Sequence, residues 1–221
     1  MALPRTQQNP IMIPSAAILW HSSGIDSNMP RKPSSILRAA DILCALSGLV
    51  LASPVLLVLL IAGYVDTRAP LFRQQRVGAG ETPFMLTKFR TMKPDTRHVP
   101  THEADAAAIT PLGRFLRKSK LDELPQLWNV LAGDMSIVGP RPCLPSQTQL
   151  IEARRARGVF NARPGITGLG QISGVDMSTP EKLAELDQQM LGSLTLASYC
   201  RYILLTMTGK GSGDRVRDKM Q

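Results

Sequence analysis

From Ile42 to Tyr64 the chain is almost wholly apolar and carries no charge, a run long enough to span a membrane. Ser53-Pro54 stands in its middle, and a proline there removes a helical hydrogen bond and kinks the helix. Arg31, Lys32 and Arg38 precede the run, and Arg68, Arg73 and Arg76 follow it. Basic residues favour the cytoplasmic side, and here they lie at both ends. A re-entrant helix-break-helix that enters and leaves by one face meets both observations. A kinked transmembrane helix and a buried core helix are the other two readings, although a domain this small would hardly cover so long an apolar rod.

Downstream the pattern changes period. Leu71–Val77 and Pro83–Thr91 read as strands around the turn residues Gly78, Ala79 and Gly80. This hairpin carries Lys88, Phe89 and Arg90 near the end of its second strand. Thr110-Pro111 starts a helix that runs to about Lys118, with threonine as cap and proline as first residue. Leu121, Leu124, Leu127, Trp128 and Leu131 repeat at helical spacing up to Gly133, where a helix would stop. Glu181–Leu191 and Leu194–Met207 read as two more helices. The second has an apolar side with Tyr199, Arg201 and Tyr202 interspersed, suited to a membrane surface or to the core. The expected fold is α+β, mainly helical with a short β-hairpin, with a re-entrant membrane segment and interfacial amphipathic helices. Residues 1–35 form a flexible extension, 36–66 the membrane segment, 67–208 the catalytic domain, and 209–221 a flexible basic tail. Residues 93–109 are a polar surface loop in which His98 and His102 lack any ligand spacing.

Composition narrows the partners. The 221 residues carry a net charge of +9 with a pI of about 9.9, which suits an anionic partner. Only 5% of residues are aromatic, so stacking platforms for single-stranded nucleic acid are scarce, and the apolar run also argues against a nucleic-acid binder. Cys44, Cys143 and Cys200 are far apart and odd in number. They form neither a disulfide nor a zinc pattern and are read as structural thiols in a reducing compartment.

Candidate chemistry centres on Asp122 and Glu123, adjacent carboxylates in a basic and apolar run that includes Arg114, Arg117, Lys118 and Lys120. They are expected in the first turn of the helix ending near Leu131, where free N–H groups favour negative charge and Pro125 is tolerated. Taken alone, the pair also fits ordinary N-terminal charge placement. Arg141 stands between Pro140 and Pro142, and Arg163 precedes Pro164-Gly165. Gly and Pro dense turns expose backbone N–H groups to an anion, and an arginine fork beside them suits phosphate. Each turn alone fits a plain connection, as Lys88 and Arg90 alone fit a solvated strand edge.

Together these motifs resemble the bacterial sugar transferase family, the monotopic phosphoglycosyl transferases. The matching stretches are Lys88–Met92, Leu121–Leu131, Gly133–Pro142 and Arg163–Gly168, with Ser53-Pro54 similar to the family's re-entrant break. The likeness runs from about Arg38 to Thr208. It implies transfer of a sugar 1-phosphate from a UDP-sugar donor to a polyprenyl phosphate acceptor, such as undecaprenyl phosphate, with release of UMP. The reaction would need Mg²⁺ and a covalent phosphosugar on Asp122, with Glu123 as metal ligand. Arg117 is similar to a phosphate-binding arginine of the family. Lys88, Arg90, Arg141 and Arg163 fall in motifs that line the site, and Asp187 resembles a later motif acid. The implied location is the cytoplasmic face of the bacterial inner membrane, in contact with lipid, as the first membrane step of a glycan. Lys120 stands where the family more often has a small hydroxyl residue, and Gln188-Gln189 replace a common aromatic pair. The alternatives are a non-catalytic membrane-associated scaffold of a glycan assembly complex and a metal-assisted phosphohydrolase. The sugar, the pathway and the oligomeric state are not written in the sequence.

Overall fold

The computed structural model describes residues 35–94, 96 and 106–208. The expected N-terminal extension, the basic tail, and His98 and His102 lie outside the described residues, apart from Ser35 at the edge of the extension.

The apolar run folds as α1, Ser35–Thr67, 33 residues and so about 50 Å along its axis. Its helical assignment passes through Ser53-Pro54, where an interruption was expected. Pro54 has no N–H to offer the carbonyl of Val50. The Ser53 hydroxyl donates to that same carbonyl at 2.8 Å, so the orphaned acceptor is satisfied locally and the helix continues. No residue from Leu46 to Val58 is buried, which rules out the core-helix reading.

The two ends of α1 behave differently from its middle. Near the start, Asp41 is buried and accepts from Ser136 Oγ, the Ile137 N–H and Tyr199 OH at 2.7–2.8 Å. Near the end, Leu59 packs with Phe89 and Leu116, and Asp66 accepts from Thr110 Oγ1 at 2.7 Å. Both ends therefore rest on one folded unit while the centre stands clear of it.

The hairpin forms as read, with β1 (Leu71–Val77) antiparallel to β2 (Pro83–Phe89) and Leu71 opposite Phe89. The tight turn places Gly80 and Glu81 at φ near 60°. Thr110 caps α2 (Pro111–Ser119) by accepting from the Gly113 N–H. The short α3 (Gln126–Ala132) lies on the inner side of α1, with Leu127 against Gly48. Next come two strands that neither proline-rich motif predicts, β3 (Ser136–Val138) and β4 (Gly165–Thr167), which pair in parallel. Between them lies α4 (Thr148–Ala156), also unforeseen. The one-turn α5 (Leu169–Ile172), then α6 (Pro180–Gly192) and α7 (Leu196–Met207), complete the described chain.

The central core gathers Leu86, Val130, Met135, Ile137, Met190 and Tyr199 under the hairpin and α1. A second cluster joins Val77, Cys143, Leu150 and Leu183 between α4 and α6. Of the three thiols expected to be structural, Cys143 is buried there, whereas Cys44 and Cys200 are exposed on α1 and α7. Leu196, Leu204 and Met207 on α7, Phe115 on α2 and Trp128 on α3 are also exposed, Trp128 by 67%. Helices α2, α3 and α7 thus carry apolar side chains outward as a surface helix would.

Candidate active site

Asp122 and Glu123 do not begin the helix that follows them. Lys120 ends α2 in the left-handed region at φ 57°, and its N–H closes on the Arg117 carbonyl. Leu121–Glu123 then forms a single 3₁₀ turn, closed by the Leu124 N–H to the Leu121 carbonyl. Pro125 cannot donate the bond that would fuse this turn to α3, so the regular helix starts only at Gln126. The two carboxylates diverge by about 120° in such a turn. Asp122 turns inward and is 7% exposed, while Glu123 remains half-buried.

Three elements bring cations to this turn. Lys88 arrives on β2, Arg117 on α2 and Arg141 on the segment after β3, and all three act electrostatically on Asp122. Arg117 is held by its Nε–H donating to Thr91 Oγ1 at 2.9 Å, and its Nη1 is buried with no hydrogen-bond partner among the described residues. Arg141 Nη1 lies 3.3 Å from Glu123 Oε1. Asp122 itself makes no hydrogen bond to any described residue. Burial and, after it, repulsion from Glu123 push its carboxyl up to about 6, against the pull of Lys88, Arg117 and Arg141.

The two proline-rich turns are one packed unit rather than two separate devices. The Gly139 N–H donates to the Thr167 carbonyl at 2.8 Å and the Gly165 N–H to the Pro140 carbonyl at 2.9 Å. A Cβ on Gly165 would lie 2.1 Å from the Gly139 nitrogen, so the backbones meet at a distance only glycine allows. The segment carrying Arg141 is fixed from behind as well. Arg154 Nη1 donates to the Arg141 carbonyl at 2.8 Å, and its Nε and Nη2 both donate to Asp187 Oδ2, at 2.9 and 2.7 Å. Asp187 thus stands behind the site as a positioning residue.

Of the other residues singled out in the sequence, Arg90 donates to the carbonyls of Ala69 and Leu71 and lies over the Phe72 ring, tying the hairpin to the exit of α1. Arg163 donates from Nε to the Gly133 carbonyl at 2.8 Å, bracing the end of α3. The site therefore unites Asp122, Glu123, Lys88, Arg117 and Arg141, and places Arg90, Arg163 and Asp187 in supporting contacts.

An open cleft adjoins this cluster, lined by Arg76, Leu86, Lys88, Glu123, Gln126, Arg141, Pro142, Gly165 and Ile166. Arg76, Gln126 and Arg154 are not among the site residues that the sequence points to. The hairpin register supplies a signal for Arg76, because it pairs with Phe84 and so shares a face with Leu86 and Lys88. For Gln126 the signal is its position three residues after Glu123, where helical spacing puts the two side by side. Arg154 has no such signal, since its partner is 33 residues away.

A divalent cation fits this donor set in one way. Among the described residues no group of three or more His, Cys, Asp or Glu side chains could hold a metal, so the chain offers no complete cage. Two adjacent carboxylates beside a cationic cleft suit Mg²⁺, which takes one or two carboxylates and completes its shell with water and substrate phosphate.

A sequence model described as "Bacterial sugar transferase" matches residues 33–210. The chain is 36% identical over 199 residues to a UDP-glucose:undecaprenyl-phosphate glucose-1-phosphate transferase of Caulobacter vibrioides, covering 87% of this chain and 73% of that one. It is 37% identical over 182 residues to the Escherichia coli protein of the same name, covering 77% of this chain and 39% of the relative. A UDP-galactose-lipid carrier transferase of Erwinia amylovora is 37% identical over 171 residues, covering 68% of this chain and 35% of the relative. The chain thus spans nearly three quarters of the first relative and well under half of the other two.

Proposed function

The chain belongs to the bacterial sugar transferase family, and from that premise we propose that it transfers a sugar 1-phosphate from a UDP-sugar to polyprenyl phosphate at the cytoplasmic face of the membrane. The observation that carries this reading is Asp122: a buried carboxylate with no hydrogen-bond partner among the described residues, ringed by three cations. A buried carboxylate that serves the structure alone is normally hydrogen-bonded. A nucleophile instead needs its lone pairs open and surrounding cations to relieve its repulsion from a phosphate.

Asp122 would attack the sugar-bearing phosphorus of the donor. The bond from that phosphorus to UMP breaks, UMP leaves, and the sugar phosphate stays on the carboxylate. The phosphate oxygen of the lipid acceptor then displaces Asp122, which returns to its starting state. With its carboxyl near 6, Asp122 is ionised at neutral pH and needs no separate base. Lys88, Arg117 and Arg141 stabilise the charge that spreads over the phosphoryl oxygens. Glu123, held 3.3 Å from Arg141, would carry Mg²⁺ together with the donor phosphates. When bound, the ion supplies further neutralisation of the diphosphate.

The acceptor's tail lies in lipid, so the site must sit at the membrane surface. A re-entrant α1 is supported by the contacts at its two ends, Asp41 with β3 and α7, and Asp66 with Thr110. A helix that crossed would carry one end across about 30 Å of hydrocarbon, away from the unit that both ends touch. Accessibility labelling of cysteines beside Met1 and Gln221 tests this, because labels on opposite faces would reject it. The reaction is tested with detergent-purified protein, Mg²⁺, undecaprenyl phosphate and a panel of UDP-sugars. UMP release with at least one donor is expected. Mass spectrometry without acceptor should find a sugar phosphate on the peptide containing Asp122.

A further inference from the structure

We infer that Gln126 is a specificity residue of the cleft, its carboxamide hydrogen-bonding an uncharged group of the donor: the imide edge of the nucleobase or a hydroxyl of the sugar. This inference rests on the transferase reading above and deepens it. Gln126 is 4% exposed, lines the cleft, and makes no side-chain hydrogen bond to any described residue. Its amide atoms are not walled off by protein and open on the cleft, so a ligand there can take over the hydrogen bonds they make to water. The other buried amide side chain of the same helix shows the contrast. Asn129 donates to the Met85 carbonyl and to Asp134 Oδ2, and accepts from the Thr87 N–H. Asn129 thus uses both ends of its amide to fasten α3 to β2, while Gln126, one turn earlier, is left facing the cleft.

The surroundings indicate what Gln126 would meet. Arg76, Lys88, Glu123 and Arg141 are the charged residues of the cleft, and its cations suit a diphosphate. Leu86 and Ile166 are apolar wall residues and present nothing to bond an uncharged polar group. A carboxamide offers one acceptor and two donors, which match a base edge that pairs a donor with an acceptor, or a sugar hydroxyl that is both. A site that hydrogen-bonds such a group rejects analogues lacking it more strongly than packing alone does.

The test is donor kinetics on the full chain in detergent, comparing wild type with Gln126→Met, which keeps the volume and removes the amide. The donors are UDP-glucose, UDP-galactose and CDP-glucose, with release of nucleoside monophosphate as readout. Gln126→Met should raise KM for the preferred donor about three- to tenfold, the loss of one or two neutral hydrogen bonds. If the group is the base, the UDP-to-CDP preference falls. If it is the sugar, the glucose-to-galactose preference falls. A KM that does not move, or that rises equally for all three donors, overturns the inference. Should the methionine variant not fold, the isosteric Gln126→Glu is judged by the same preferences. Silence of the wild type with every donor would instead remove the transferase reading, and this inference with it.

Discussion

Two buried aspartates lie on either side of the Arg141 segment, and they are treated oppositely. Asp187, on α6, receives two hydrogen bonds from Arg154, both side chains being 2% exposed. Burial lifts its carboxyl above the ordinary range and Arg154 opposes that rise. Asp122 receives no hydrogen bond from any described residue and shares its turn with a second carboxylate. One acid is spent on architecture, fixing Arg154 and through it the Arg141 backbone. The other is left with its lone pairs open. A protein that satisfies one buried carboxylate so fully is able to satisfy both, so the unmet acid marks the place where a ligand is expected.

The largest effect should separate the two in activity. Asp122→Asn keeps shape and removes the proposed nucleophile, and UMP release should fall about 10³-fold or more. Full activity in that variant would put the chemistry elsewhere. In the wild type, kcat/KM should fall on the acid side as pH passes below about 6, where Asp122 takes up its proton.

Stability should separate them in the other direction. Arg154→Met leaves Asp187 buried without its partner and should cost about 3–5 kcal/mol in chemical denaturation. The double change Arg154→Met with Asp187→Leu should recover much of that loss, because removing both charges removes the penalty. If the single change costs nothing, the pair does not hold the Arg141 segment.

Asp122→Asn should be stabilising in metal-free buffer at pH 7.5. The folded-state carboxyl titrates near 6, above the unfolded value of about 4. Between those values the folded state binds more protons than the unfolded one, so stability falls as pH rises from about 4 through 6. Above that window the ionised group costs folding about 2–3 kcal/mol. The asparagine variant should therefore melt several degrees higher at pH 7.5 and lose most of that gain at pH 4.5. An equal gain at both pH values would mean that ionisation is not what strains the site.

What could be read in advance follows the range of the interactions. The hairpin, α2, α6 and α7 are set by local signals: a Gly-Ala-Gly turn, a Thr-Pro start, and apolar spacing. Their bounds match to within a few residues. The cationic half of the site was legible because Lys88, Arg117 and Arg141 belong to motifs. The β3–β4 pair was not, since Val138 meets Thr167 through backbone bonds between residues far apart in sequence. Nor was Asp41, whose partners Ile137 and Tyr199 are 96 and 158 positions away. The start of α3 is hidden for a local reason: Pro125, which a first helical turn tolerates, here uncouples the turn before it.

Lys120 gives the smallest and most local test of whether strain gathers on the Asp122 side. A lysine at φ 57° costs about 1–2 kcal/mol that glycine does not incur. Glycine returns part of that through a freer unfolded chain. Lys120→Gly should therefore stabilise by about 0.5–1 kcal/mol, read as roughly 2 °C in Tm. Lys120→Ala, which keeps the Cβ and loses the charge, should give no gain. The pair of variants also sorts charge from backbone: a donor KM raised equally in both assigns the ammonium to the cleft, while an unchanged KM leaves Lys120 as the hinge between α2 and the Asp122 turn. Equal melting of both variants would place the strain outside this hinge, and the contrast between the two aspartates would then rest on their partners alone.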